Sequence, residues 1–316
     1  MDLAVYLPLL IPALATVAAR PLAARLEPRL ATWLLTATAV ALAVFSTAAL
    51  ALLAASALAR APFLAALGDY SQPALRRGDP VPALAGVAAA LLLTAAAVAV
   101  AVVIRARARA LAESYRRAAR MTPGEQVVVV PGHAIEAYAL PGSPGRIVVS
   151  ARLLAELDDR RQTALLAHEQ AHLAGRHHLF TTVAHLAASA NPLLLPVARA
   201  VDYTVERWAD EHAAAITGDR RLVARTIGQV ALLATPAPRR ARTAALAITG
   251  ARARRPISLA WAGPVPRRVA ALLAPPPRRR LTLLAIAAIL VLIAGASALE
   301  AARDLHALLE FAQAAR

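Results

Sequence analysis

The sequence predicts a mainly α-helical membrane protein that carries one segment of mixed α and β structure. Of its 316 residues, 59% are hydrophobic, and the mean hydropathy of +0.55 is high for a soluble protein of this length. Only 4% of the residues are aromatic, which disfavours a sheet-rich fold because strands favour aromatic and β-branched residues. Long uncharged runs, described next, are the third observation.

Four uncharged runs are long enough to cross a bilayer, which needs about 20 apolar residues at 1.5 Å each. They cover residues 3–19, 31–59, 81–104 and 281–299. The first run is short and contains Pro8 and Pro12, and its alternative interpretation is a cleaved signal peptide. Asp2 stands where such a peptide has basic residues, and three further runs follow, so we predict four membrane spans.

Arginine placement predicts the orientation. All 35 basic residues are arginine, and many flank the apolar runs, six of them between residues 105 and 120. The positive-inside rule then puts residues 105–280 in the cytoplasm of a bacterial cell and both chain ends outside. The predicted divisions are three helices with loops in residues 1–104, a cytoplasmic domain in 105–280, a fourth span in 281–299 and a short tail in 300–316.

The net charge of +16 also raises the question of a nucleic-acid partner. No helix-turn-helix and no aromatic-basic pattern interrupts the cytoplasmic segment, so we predict no nucleic-acid partner and attribute the arginines to membrane topology. The bilayer itself is the partner that the composition predicts. One more apolar stretch, residues 183–198, is interrupted at His185, Asn191, Pro192 and Pro196. We predict a buried or membrane-grazing helix that breaks at Asn191-Pro192, and a fifth crossing is the alternative.

Within the cytoplasmic segment, two β-branched runs at residues 126–130 and 146–150 predict strands, with a third at 134–140 before the turn PGSPG. Helical spacing returns from Leu153 and includes the sequence HEQAH, His168 to His172. Beyond about Gly250 the chain becomes rich in proline and arginine, which is typical of an irregular linker, and within it Val269 to Leu273 are predicted to form a short packing helix.

HEQAH has the spacing of a metal site. His168 and His172, four residues apart, share one face of a helix and can present two ring nitrogens to one ion. Glu169 lies beside that face, where it can take a proton from an attacking water. The alternative is two histidines hydrogen-bonded inside a helical bundle, which must also satisfy an ionised glutamate on an apolar helix.

Because the chain has no cysteine, a third metal ligand must be His, Asp or Glu. The segment DYTVERWADEHAA, residues 202–214, offers Glu206, with Asp210 one turn later as an acceptor for a ligand histidine's N–H. Asp202, Glu211 and His212 compete for the ligand role, and a carboxylate stripe on one face is also typical of a solvated helix. The remaining histidines are predicted to be packing residues or helix-end partners.

HEQAH together with ERWAD, Glu206 to Asp210, resembles the HExxH and ExxAD pair of integral-membrane gluzincin peptidases. These comprise the HtpX and CAAX-protease group and the related BlaR/MecR antirepressor peptidase group. The sequence AYALPGSPGRIVVSARLLAEL, residues 137–157, is also similar to their strand-turn-strand segment. The resemblance covers roughly residues 120–275. It implies a helical transmembrane protein with a gluzincin-type α+β metallopeptidase domain.

The resemblance implies a role for each matching residue. His168, His172 and Glu206 would bind one Zn²⁺ per chain, Glu169 would be the catalytic base, and Asp210 would support a ligand. Residues 137–140 would form the edge strand that receives an extended peptide substrate. The donor that stabilises the oxyanion stays open among Tyr138, Tyr203, Arg207 and His212.

The expected function is therefore that of a membrane-bound zinc endopeptidase acting on protein substrates at the cytoplasmic face. Three spans before the catalytic segment and one after it resemble the BlaR/MecR arrangement, whose substrate would be a cytoplasmic repressor. Only residues 300–316 follow the last run, which disfavours the sensor domain of the antibiotic receptors. The alternatives are HtpX-like quality control of membrane proteins and, in another class, a non-enzymatic scaffold or signalling protein that keeps the fold.

Overall fold

The computed structural model describes residues 6–59, 83–121, 125–234, 264–276 and 281–314. The described residues form ten helices and three strands, apart from one short 3₁₀ turn. In chain order these are α1 Leu7–Arg25, α2 Pro28–Ala59, α3 Ala83–Ala119, β1 Val127–Val130, β2 Ala137–Leu140, β3 Arg146–Ser150, α4 Ala151–Ala155, α5 Asp159–Ala174, α6 His177–Ala190, α7 Leu195–Thr217, α8 Arg220–Leu233, α9 Pro264–Leu273 and α10 Leu281–Ala314. The predicted fold class, mainly α with a small sheet, is confirmed.

The helices α1, α2 and α3 are long and apolar enough to cross a membrane. They contain most of the first three predicted runs, and α3 continues without a break well past residue 104. The fourth predicted run lies on α10. Its crossing of the membrane and the predicted domain divisions stay predictions.

The three strands form one sheet in the order β1-β3-β2. Strand β3 lies in the centre with all five residues buried, paired in parallel with β1 and antiparallel with β2. All three strands fall in the stretches where the sequence predicts them. Among the described residues, β2 is therefore an edge strand with one side unpaired.

Local chemistry sets the ends of α5 and α6. The Asp158 carboxylate caps α5 by accepting a hydrogen bond from the Arg161 amide at 2.9 Å. Arg176, with φ of 48°, turns the chain from α5 into α6. Helix α6 ends at Ala190 and is followed by Asn191, whose side chain accepts a hydrogen bond from the Leu193 amide. Pro192 begins the 3₁₀ turn that leads to α7. The chain thus breaks at the predicted Asn191-Pro192 position.

The largest hydrophobic cluster joins the first two helices to α6 and α7. Small and branched side chains meet there with little or no exposure, namely Ala19, Leu35, Ala39, Leu42, Ala184, Val197, Ala198 and Val201. A separate cluster lies between the sheet and α5 and includes Val149, Leu153 and Leu165. Helix α7 therefore packs on the apolar N-terminal helices with one face, while α5 packs against the sheet.

Candidate metal centre

Three side chains from two helices come together at one point. His168 and His172 on α5 have their Nε2 atoms 3.2 Å apart. The Glu206 carboxylate on α7 lies 3.7 Å from the first of these atoms and 3.6 Å from the second. Among the residues that the structure describes, this is the one group of three or more potential ligands with the spacing of a metal site.

The spacing fits zinc. Bonds of about 2.0 to 2.1 Å in a tetrahedral arrangement separate the ligand atoms by about 3.3 Å. The three observed separations, 3.2, 3.6 and 3.7 Å, lie slightly to either side of that value. Two imidazoles and one carboxylate are also the ligand types expected of a hydrolytic zinc site that keeps its fourth position for water. Helix periodicity brings the two histidines together, and the packing of α5 on α7 adds the glutamate.

Each histidine has a further partner at its other ring nitrogen. His168 Nδ1 lies 3.0 Å from Asp210 Oδ1, and this carboxylate is fully buried. An N–H donated to Asp210 leaves Nε2 of His168 free to bind a metal. His172 Nδ1 lies 3.0 Å from Nδ1 of His177. The sequence predicts packing for His177, and the structure places it directly behind His172.

Gly175 makes room for that second contact. A Cβ atom at this position would lie 2.4 Å from His177 Nε2 and 3.0 Å from the Ala171 carbonyl oxygen. Any larger side chain would therefore push His177 away from His172. The glycine that ends α5 thus also keeps the arrangement of the histidines.

Arg268 is a site residue that the sequence reasoning missed. It lies on α9, just before the short packing helix that the sequence predicts within the linker, and is buried. Its Nε and Nη2 atoms donate to the two oxygens of Asp210 at 2.8 and 2.6 Å. Its Nη1 lies 2.8 Å from Glu206 Oε2. One guanidinium thus binds both Glu206 and Asp210. The structure extends the predicted packing helix, Val269 to Leu273, back to Pro264 and so includes Arg268.

The charges around the two histidines differ. Burial opposes protonation of His168, but the contacts with Asp210 and Glu206 outweigh it and raise its pKa to about 10. Burial lowers the pKa of His172 to about 4. Arg268 and the histidines hold the pKa of Glu206 well below its usual range despite burial. Because metals bind neutral imidazole, a proton on His168 competes with metal binding.

Glu169 lies next to this cluster and forms no ion pair with another residue in the part of the chain that the structure describes. It is buried, and burial raises the pKa of its carboxyl group. The backbone amide of Ala139 on β2 opposes this rise in pKa because it favours the ionised form. A buried glutamate with a raised pKa is the type of group that accepts and returns a proton near neutral pH.

The three residues that compete with Glu206 for the ligand role make other contacts. Asp202 pairs with His185 at 2.9 Å. Glu211 pairs with Arg207 at 3.3 Å and with Arg220 at 2.7 Å. His212 lines a separate cavity of about 350 Å³ with Trp208 and Glu27.

The four residues considered as oxyanion donors are dispersed. Tyr138 lies on the edge strand β2, and Tyr203 is buried under the Arg267 guanidinium at 4.3 Å. Arg207 is buried against Glu211. None of these contacts selects one of the four, so the choice stays open.

Two ring nitrogens and a carboxylate on packed helices, with a buried glutamate beside them, form a group that could hold a metal ion, as the sequence predicts for a metallopeptidase. Residues 103–190 match the model of peptidase family M48. The match confirms the predicted resemblance to membrane zinc metallopeptidases of the HtpX and BlaR type, which are metalloprotease hydrolases. It includes HEQAH and ends before Glu206. No curated protein and no solved structure matches the chain significantly.

Proposed function

We propose that the protein is a membrane-bound zinc endopeptidase that cleaves protein substrates at the cytoplasmic face. The observation that carries the proposal is the meeting of His168, His172 and Glu206, with ligand separations that fit zinc. The buried Glu169 and the edge strand β2 lie beside this cluster, so the groups needed for peptide hydrolysis are adjacent.

Zinc bound by the three ligands would supply a Lewis acid that polarises the scissile carbonyl and favours deprotonation of water. Glu169 would accept the proton from the attacking water and return it to the leaving amine. Asp210 would hold the His168 ring in the required orientation through Nδ1, and Arg268 would offset part of the negative charge of Glu206 and Asp210.

The unpaired edge of β2 supports the binding of an extended peptide. Ser150 donates its amide to the Glu136 carbonyl oxygen, and the hydrogen-bonded pairs of an antiparallel ladder alternate. The backbone groups of Ala137 and Ala139 therefore point away from β3, towards the free edge. Since the Ala139 amide is near enough to Glu169 to lower its pKa, a peptide paired along this edge would pass beside the proposed base.

Two substrate classes follow from the resemblance, a cytoplasmic repressor and membrane proteins under quality control. The arginines at the start of the catalytic segment, from Arg105 to Arg120, support a cytoplasmic site for both. Proteins that accumulate on an inactive variant in cells would identify the class. If this chain itself purifies without zinc and has no affinity for zinc, the result would instead support the non-enzymatic scaffold.

The test of the mechanism is the Glu169→Gln variant of the purified full chain in detergent or lipid. We expect proteolysis to fall by about 10² to 10⁴-fold, while about one zinc per chain is retained because Glu169 is not a ligand. Gln170→Ala is a matched control, since Gln170 bonds Gln126 at 2.8 Å and should keep its activity. Wild-type activity in Glu169→Gln would contradict the mechanism.

A further inference from the structure

Helix α6 and the first half of α7 form a hairpin. His185 on α6 bonds Asp202 on α7 at 2.9 Å, and the rings of Phe180 and Trp208 lie 5.9 Å apart. Later residues of α6 thus contact earlier residues of α7, so the two helices are antiparallel. The tip of the hairpin is the turn at residues 191–194.

Contacts with α2 show how far this hairpin extends along that helix. Near the base, Thr32 donates to the Thr204 hydroxyl at 2.9 Å, and Trp33 meets Phe180 at 4.7 Å. At the tip, Asn191 donates to the Ser46 hydroxyl at 3.0 Å. The interval from residue 32 to residue 46 of α2 is roughly 21 Å long at 1.5 Å per residue.

That interval lies in the uncharged part of a helix that is long and apolar enough to cross a membrane. Arg29 precedes it by one turn, and no charged residue follows before the end of α2. Ser46 lies near the middle of the helix, and the hydrocarbon core of a bilayer is about 30 Å thick. A group that contacts Ser46 therefore lies well below the membrane surface if α2 spans the membrane.

The outer surface of the hairpin has the composition that this depth requires. The exposed side chains around the tip are apolar, with Leu193 at 46% and Leu195 at 37% exposure. Leu179 and Val183 continue this exposed apolar face along α6. Arg199 is the exposed cation of this part of α7. It lies between the tip and the base of the hairpin, from where its long side chain can reach the headgroups.

The polar groups of the hairpin are turned inwards. Asn191 uses its amide on Ser46 and its carbonyl oxygen on the Leu193 amide. The hydrogen bond between His185 and Asp202 lies between the two helices, with both side chains mostly buried. In hydrocarbon, polar groups must be satisfied within the protein, and these contacts satisfy them.

We propose that residues 177–205 are a re-entrant hairpin, which enters the cytoplasmic leaflet beside α2 and returns to the same side. Its exposed apolar face contacts lipid acyl chains. Glu206 follows Thr204 by two residues, so the hairpin would hold the metal centre at the membrane surface. The proposal goes beyond the peptidase function and does not depend on it, since its argument uses no catalytic group.

The absence of cysteine from the sequence allows a direct test. A nitroxide is attached to a single cysteine in the full chain, reconstituted in phosphatidylethanolamine and phosphatidylglycerol vesicles. Collision with oxygen, which concentrates in lipid, is compared with collision with a water-soluble nickel chelate. The test sites are Leu193→Cys and Leu195→Cys, so that one variant remains if the other fails to fold.

The controls are matched in exposure. Val44→Cys, 56% exposed on α2, reports the membrane interior, and Ile216→Cys, 60% exposed at the far end of α7, reports water. We expect the oxygen-to-nickel ratio at the two test sites to equal that of Val44→Cys and to exceed that of Ile216→Cys several-fold. The same ratios in the Glu169→Gln background would show that the result is independent of proteolysis.

Two results would overturn the proposal. A ratio at both test sites equal to that of Ile216→Cys would place the hairpin in water. Labelling of Leu193→Cys in intact cells by a maleimide that cannot cross membranes would place the tip at the outer surface, so that the hairpin crosses the bilayer completely. If the wild-type chain shows no proteolysis while the two test sites keep lipid-like ratios, only the proposed peptidase function is contradicted.

Discussion

The two faces of α7 are held in different ways. One face presents Glu206 and Asp210, which a few strong contacts with histidines and Arg268 fix in position. The opposite face presents Val197 and Val201, which pack on α1 and α2 mainly by apolar contacts. One helix therefore belongs both to the metal centre and to the core of the N-terminal helices. The position of the site follows from packing, and its charge state follows from local ion pairs.

Glu206→Gln is expected to have the largest effect on the charged face. It removes one of three proposed protein ligands and replaces an anion by a neutral amide, so zinc should be lost on dialysis. Metal content per chain is the measurement, with Glu211→Gln as the control because Glu211 pairs with arginines outside the cluster. Zinc retained at the wild-type level would exclude Glu206 from the ligand set.

Arg268→Met is the next test of the same face. It leaves the fully buried Asp210 without its cation, and such a change typically costs about 3 to 5 kcal/mol of the free energy of unfolding. Thermal unfolding of the purified protein measures the loss.

Arg267→Met is the matched control for that variant. Arg267 is exposed and stacks on Tyr203, a contact worth about 1 kcal/mol or less. Equal losses in the two variants would show that the ion pair of Arg268 with Asp210 contributes little.

The sequence predicted the charged face better than the apolar one, for a physical reason. His168, His172 and Glu169 are fixed relative to one another by helix periodicity, and Glu206 and Asp210 are likewise one turn apart. The spacing alone therefore predicts the histidine pair, whereas the choice of Glu206 among the acidic residues of α7 followed from the resemblance to the ExxAD motif. Arg268 reaches Asp210 from 58 positions away, across a stretch rich in proline and arginine. No local pattern encodes such a contact.

The depth of the hairpin was equally hidden from the sequence. Residues 183–198 are too short and too interrupted to be recognised as a span, so the sequence left a buried helix, a membrane-grazing helix and a crossing open. The bond between Asn191 and Ser46, which sets the depth, forms only when the tertiary structure does. The small edge strand was predictable because β-branched runs and a proline-glycine turn are local signals.

Ala198→Leu tests the apolar face and should have a smaller effect. Ala198 is fully buried in the cluster shared with the N-terminal helices, and overpacking of such a position typically costs about 1 to 3 kcal/mol of unfolding free energy. If packing positions the metal centre, proteolysis should fall together with stability while zinc stays bound. Ile216→Leu, at an exposed position of the same helix, is the control, and a fall in stability without any fall in proteolysis would separate the two faces.

The smallest effect is expected beyond the end of α7, where Asp219 caps α8 away from both faces. Its carboxylate accepts a hydrogen bond from the Leu222 amide at 2.9 Å. The backbone donors of Leu222 and Arg221, with the charges of Arg160 and Arg225, lower its pKa below the usual 3.8. A carboxylate whose pKa is lowered in the folded state stabilises the fold at pH values above the pKa of the unfolded chain. This contribution is lost as the pH falls through the pKa of the folded state.

Because asparagine caps helices as well as aspartate, Asp219→Asn should leave the unfolding temperature at pH 7 nearly unchanged. Between about pH 5 and pH 3 the wild type should then lose slightly more stability than the variant. Parallel unfolding curves for the two proteins over that range would show that the capping contact does not depend on the charge of Asp219.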